Sequence, residues 1–111
     1  GLNVPLMRYS NVLLMKAEAL NELQRSAEAI PLINLVRARA DMPGMIGITY
    51  NAVKAQIEHE RIIEFPLENF RFYDLRRWGK TKSALDAVGR TGFDAAKNNF
   101  YPVPLTEVQN N

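Results

Sequence analysis

The sequence contains no cysteine. Disulfides, thiolate metal sites, cysteine nucleophiles and haem thiolates are therefore excluded, while the cellular compartment stays open. It contains one histidine, His59, so neither a His-Glu-x-x-His zinc pattern nor a Glu-x-x-His pair is present. No apolar run approaches the roughly 18 residues a membrane-spanning helix needs. Excess charge is also scarce: 14 Lys and Arg against 12 Asp and Glu leave a net +2. The pI near 9.1 is basic, but so small an excess predicts no strong attraction to nucleic acid or to an anionic membrane. The opening Gly1-Leu2-Asn3-Val4-Pro5 has no charged or apolar segment of the export-signal kind. There is no initiator Met, and the sequence is expected to be cut from a longer protein.

What is present is an ordinary folding composition. The 111 residues are 47% hydrophobic and 23% charged, enough for one small domain with a modest core. A first helix is expected from about Arg8 to Leu23, after Pro5. Leu6, Leu13, Ala17 and Leu20 form its apolar stripe, flanked by Tyr9 and Val12. Lys16, Glu18, Asn21 and Glu22 fall largely outside that stripe. Gln24-Arg25-Ser26 reads as a turn, with Ser26 as N-cap. A second helix should run from about Ala27 to Ala40, with Ile30, Ile33, Val36 and Ala40 inward. Pro31 disfavours the helix interior, so the start is expected to shift towards Ile30. Asp41-Met42-Pro43-Gly44 ends it.

A third helix is expected over about Asn51 to Phe65, capped by Thr49 and stopped by Pro66. A fourth should span Phe70 to Trp78 and end before Gly79. Thr81 to Val88 fits a short fifth. Gly89, Gly92, Asn98 and Asn99 mark a loop. Pro102 and Pro104 predict an extended tail, with a last helical turn over Leu105 to Gln109. The fold class is thus all-α, with four to five helices and an extended Pro-containing tail. The first two helices fit a tetratricopeptide unit, whose packing positions fall on Leu13, Ala17, Leu20, Ala29, Ile33 and Val36. A plain helix hairpin has the same spacing. Such units bury their faces by stacking, so an isolated piece is expected to self-associate or to be marginally stable. The chain is read as one helical domain over 1–111. Within it lie a helix pair at 6–43, a second pair at 49–79, and a short helix, loop and tail at 80–111.

The densest chemistry lies between Glu58 and Trp78. Glu60 and Glu64 sit one helical turn apart, as paired acid–base carboxylates would. With Arg61, Arg71, Arg76 and Arg77 close in sequence, ion pairing is the stronger reading. Arg76-Arg77-Trp78-Gly79-Lys80 has the look of a nucleic-acid patch. Asp74 and Glu68 dilute its charge, and Phe72, Leu75 and Trp78 recur at core spacing. Folding helices three and four together is expected to join Glu60, Arg61 and Glu64 to Arg71, Asp74 and Arg76 over an aromatic layer that includes Trp78. Those seven residues are a structural signature. No catalytic, cofactor-binding or metal-binding residue is assigned.

At these motifs the chain resembles the SusD/RagB family of outer-membrane nutrient-binding lipoproteins of Bacteroidetes. Leu6 to Leu23 is similar to the family's RYADVLLMYAEALNEL stretch. Ile33-Asn34 with Val36 to Ala40 resembles IN-x-VRARA. Glu60-Arg61 to Glu64, and Glu68 to Gly79, resemble ER-x-x-E and FRFYDLRRWG. Tyr101 to Pro104 with Glu107-Val108 resembles YPIP-x-x-EI. Asn69 stands where the family usually has glycine, Lys16 replaces a common tyrosine, and Pro31 is unusual. Asn tolerates left-handed backbone, so the turn at Asn69 is expected to survive.

The resemblance implies a non-enzymatic protein that binds a glycan or other nutrient at the cell surface. It implies a SusC-like TonB-dependent transporter as partner, and a lipid anchor at a cysteine outside this chain. It also implies that this is the C-terminal portion. Tyr50, Phe93, Phe100 and Tyr101 are loop aromatics suited to stacking on sugars, but no family binding residue maps onto them. A generic helical-repeat adapter and an RNA-binding helical domain are the competing readings.

Overall fold

The computed structural model describes residues 7–109; Pro5 and Leu6, given roles above, lie outside that range. The described residues form seven helices and no strand. They group into two compact units, one ending at Glu68 and the next beginning at Asn69. The 49–79 grouping read from the sequence spans that boundary.

The first unit holds α1 (Tyr9–Glu22), α2 (Ser26–Arg39) and α3 (Tyr50–Glu64). The first two are a helix hairpin joined by three residues. Ala17 and Ala29 are fully buried, and their short side chains let the helices approach closely. Leu13, Ile33 and Val36 complete the expected contact, and Leu20 is half-buried. The third helix packs on both others through buried Val53 and Ile57.

The buried stripe of α1 is rotated from expectation. It runs through Ser10, Leu14, Ala17 and Asn21, whereas Tyr9 is 74% exposed and Val12 is also exposed. Asn21 is only 1% exposed, because its polar groups are used internally. Its Nδ2 donates to the Tyr50 carbonyl at 3.1 Å, and its Oδ1 accepts the Ser26 hydroxyl at 2.7 Å. Ser26 is thus not the N-cap; α2 begins on it, and Arg25 precedes it without a side-chain cap bond. Nor does Pro31 delay the helix, which runs through it. Proline removes one hydrogen bond there, but Pro31 and Ala27 are both exposed, so water can serve the Ala27 carbonyl.

Thr49 does cap α3, its hydroxyl accepting from the Ala52 N–H at 3.2 Å. The preceding loop lies tight on that helix: a Cβ at Gly47 would fall 2.6 Å from the Ala52 Cβ. Helices α1 and α2 end alike. Gln24 and Asp41 take left-handed backbone, and Arg25 and Met42 N–H groups donate to the Leu20 and Arg37 carbonyls at 2.9 and 3.0 Å.

The second unit holds α4 (Phe70–Arg77), α5 (Thr81–Asp86), α6 (Ala95–Asn98) and α7 (Leu105–Gln109). Asn69 precedes α4 at φ 63°, ψ 10°, the left-handed conformation expected of it. Gly79, at φ +67°, ends the helix with Lys80 N–H donating to the Leu75 carbonyl at 2.8 Å. Leu75 is buried, while Phe72 and Trp78 are half-buried. The segment read as a loop contains α6, capped by Asp94, whose side chain accepts from the Ala96 N–H at 3.0 Å. Residues 101–104 are non-helical, and α7 follows. The fold class stands as all-α; α7 lies where the last helical turn was expected, and α6 is the one short helix beyond expectation.

Candidate functional site

The acids of α3 face the hairpin. Glu60 is buried and accepts from the guanidinium of Arg37 on α2 and from Gln56 Nε2, the latter at 2.6 Å. Glu64 accepts from Arg8 at 2.7 Å and from Arg39 at 2.6 Å. Arg8 also donates to the Glu64 backbone carbonyl and reaches Glu68 at 2.8 Å. Arg61 is buried and donates to Asn11 Oδ1 at 2.9 Å. The guanidinium carbons of Arg8 and Arg61 lie 5.0 and 5.3 Å from the centre of the Phe65 ring. Ion pairs and hydrogen bonds thus clamp α3 to both helices of the hairpin, with two of the guanidinium groups over the Phe65 ring.

The clamp explains its own electrostatics. Burial opposes the charge on Glu64, but hydrogen bonds led by Arg8 outweigh it and hold the carboxyl below its ordinary value. Arg8 is raised in turn, first by its hydrogen bond to Glu68 and then by Glu64. A carboxylate so held is a poor proton acceptor near neutrality.

A second cluster pins α3 to α1 at its other end. Lys54 Nζ lies 3.0 Å from Glu22, and the Tyr50 hydroxyl donates to the same carboxylate at 2.9 Å. Glu22 is lowered, first by Lys54 and then by Tyr50. Tyr50 is therefore the first residue of a helix and not a loop aromatic.

In the second unit, Asp74 is buried and pairs with Arg77 at 3.0 Å. Arg77 lies over the Trp78 ring at 4.7 Å, and Arg76 over the Phe100 ring at 4.9 Å. Arg71 is exposed on α4. Phe100 and Tyr101 are exposed, and Phe93 is half-buried. The Tyr101 phenol is raised, chiefly by its hydrogen bond with Tyr73. A cleft of about 440 Å³ is lined by Phe72, Leu85, Arg90, Gly92, Phe93 and Asn98.

The spacing of helices three and four points to Arg71 and Arg76 as the partners of Glu60 and Glu64. The structure supplies Arg8, Arg37 and Arg39 from the hairpin. A signal was available for Arg37: it follows buried Ile33 by four residues, which places it on the inner face. His59 is exposed, and no cluster of three or more His, Asp or Glu suited to a metal occurs among the described residues. No described helix is long and apolar enough to cross a membrane.

Comparison with known proteins places the fold and the family. SusD-like protein P38 of Formosa agariphila is 38% identical over 78% of this chain and 18% of its own length. SusD-like protein P2 of the same organism is 35% identical over 95% of this chain and 23% of its own. A crystal structure of a SusD superfamily protein from Bacteroides vulgatus superposes with a TM-score of 0.87 at 37% identity, over 96% of this chain and 25% of that one. The chain thus spans about a fifth to a quarter of these proteins' lengths, and its hairpins are of tetratricopeptide-like type. The sequence model of the SusD family matches residues 1–111, and the chain belongs to that family.

Proposed function

We propose that this chain is the scaffold portion of a non-enzymatic binding protein that captures a nutrient, a glycan foremost, at the bacterial outer membrane. The full-length protein acts with a SusC-like TonB-dependent transporter and is held at the cell surface by a lipid anchor. The observation that carries this reading is the family match over the entire chain together with the use made of its motifs. The Glu-Arg-x-x-Glu residues are engaged in holding three helices together. A site built for acid–base chemistry would instead leave one carboxyl raised and open. We read Glu60, Arg61, Glu64, Arg71, Asp74, Arg76 and Trp78 as structural residues of that scaffold.

The full-length protein carrying this chain provides the test. It should be retained on immobilised glycan, release no reducing ends from it, and co-purify with the transporter from outer membranes. Cleavage of the glycan, or failure to bind any saccharide, would overturn the reading.

A further inference from the structure

The cleft of the second unit combines two aromatic rings with two planar polar side chains. Phe72 comes from α4, Leu85 from α5, Asn98 from the end of α6, and Arg90, Gly92 and Phe93 from the loop between α5 and α6. Its volume of about 440 Å³ lies within the ordinary range of small-ligand sites. Arg90 is its one charged lining residue. Arg8, Arg25, Arg37, Arg39 and Arg77 each pair with a carboxylate, whereas among the described residues none pairs with Arg90. The Asn98 Oδ1 accepts the Asp94 N–H at 2.8 Å, which leaves its amide NH₂ to donate. A Cβ at Gly92 would meet nothing within 4 Å, so the wall is open there.

We propose that this cleft binds an acidic sugar unit, one bearing a carboxylate or a sulfate. The ring face stacks on Phe93 and Phe72. The guanidinium of Arg90 takes the anion through paired N–H bonds, and the Asn98 amide donates to a ring hydroxyl. The proposal rests on the glycan-binding reading and adds the ligand's charge and a site on this portion of the protein.

The experiment titrates the protein with trigalacturonate, its methyl ester, a sulfated galactose and inorganic sulfate, following amide signals by NMR. Shifts should centre on residues 90–93 and Asn98. The ester should bind about tenfold more weakly than the acid, the scale of a lost charge-assisted contact. Arg90→Gln, exposed and so expected to fold normally, should bring the acid down to the level of the ester. Phe93→Ala should weaken acid and ester alike. The proposal fails if neither acidic saccharide moves those signals, if acid and ester bind equally, or if inorganic sulfate binds as well as the saccharides. Retention of neutral glycans by the full-length protein with this cleft silent would sink the proposal alone; no saccharide binding anywhere would sink the glycan-binding reading as well.

Discussion

Glu64 serves two arginines with one carboxylate whose side chain is 9% exposed. Replacing it with Gln leaves both guanidinium groups facing a neutral amide. Glu64→Gln should cost about 2 kcal/mol, read from the urea midpoint, because a partly buried charge loses its counter-charge. A change within experimental error would mean the clamp adds little. Leu67 is the opposite case. It is fully exposed and sits at φ 64°, where a side chain is strained. Leu67→Gly should stabilise by roughly 0.5–1 kcal/mol, since relief of left-handed strain exceeds the added chain entropy. The left-handed turn was legible at Asn69, whose side chain tolerates it, and illegible at Leu67, whose side chain does not advertise it. The burial of Asn21 is illegible for a related reason. It stands four residues after Ala17 on the buried stripe, and only its polarity argued for the surface.

At the scale of the element, helix ends were the most readable feature. Thr49, Pro66, Asn69 and Gly79 all act where their chemistry placed them. Thr49→Ala should lower the thermal midpoint, reflecting about 1 kcal/mol of lost capping. Pro31→Ala should raise it by a comparable amount, because the Ala27 carbonyl regains an amide partner without any change of packing. No gain in stability would show that the proline's fixed backbone compensates for the missing bond. Less readable was α6, which spans four residues inside a segment read as loop, whereas the last turn over Leu105 to Gln109 was legible behind Pro104. A helix as short as α6 shows no full period, so a cap such as Asp94 is the only signal. The partners of Glu60 and Glu64 were hidden for another reason: spacing along a helix says which face a residue occupies, but not which other element meets that face.

For the whole molecule, the exposed apolar side chains set an expectation about behaviour in solution. Ile46 is 95% exposed, and Leu23, Leu35 and Ile48 are exposed too. Proteins of the same family are four to five times longer, so the chain presents faces that a stacked scaffold would cover. The isolated 111-residue chain should self-associate in light scattering; a stable monomer with a sharp melting transition would contradict this. Its stability should also fall in acid. Glu64 and Glu22 titrate below their ordinary 4.5 in the folded state. Their contribution is complete above that value and is lost as pH falls through the lower, folded values. Glu64 should dominate, because Glu22 is exposed and screened by salt. A melting temperature flat from neutrality to pH 3 would refute this.

The Arg8 clamp joins residues 60 positions apart, across the hairpin and the loop that follows it. During synthesis the chain emerges from its N-terminal side. Helix α1 is then complete long before Glu64 and Glu68 leave the ribosome. Until they do, Arg8 and Arg39 lack their counter-charges, and the third wall of the core is absent. The hairpin is therefore provisional, and the unit locks in one late step when α3 and its following turn arrive. Chains arrested before Glu64 should remain open to protease at α1, whereas chains extended past Glu68 should resist it.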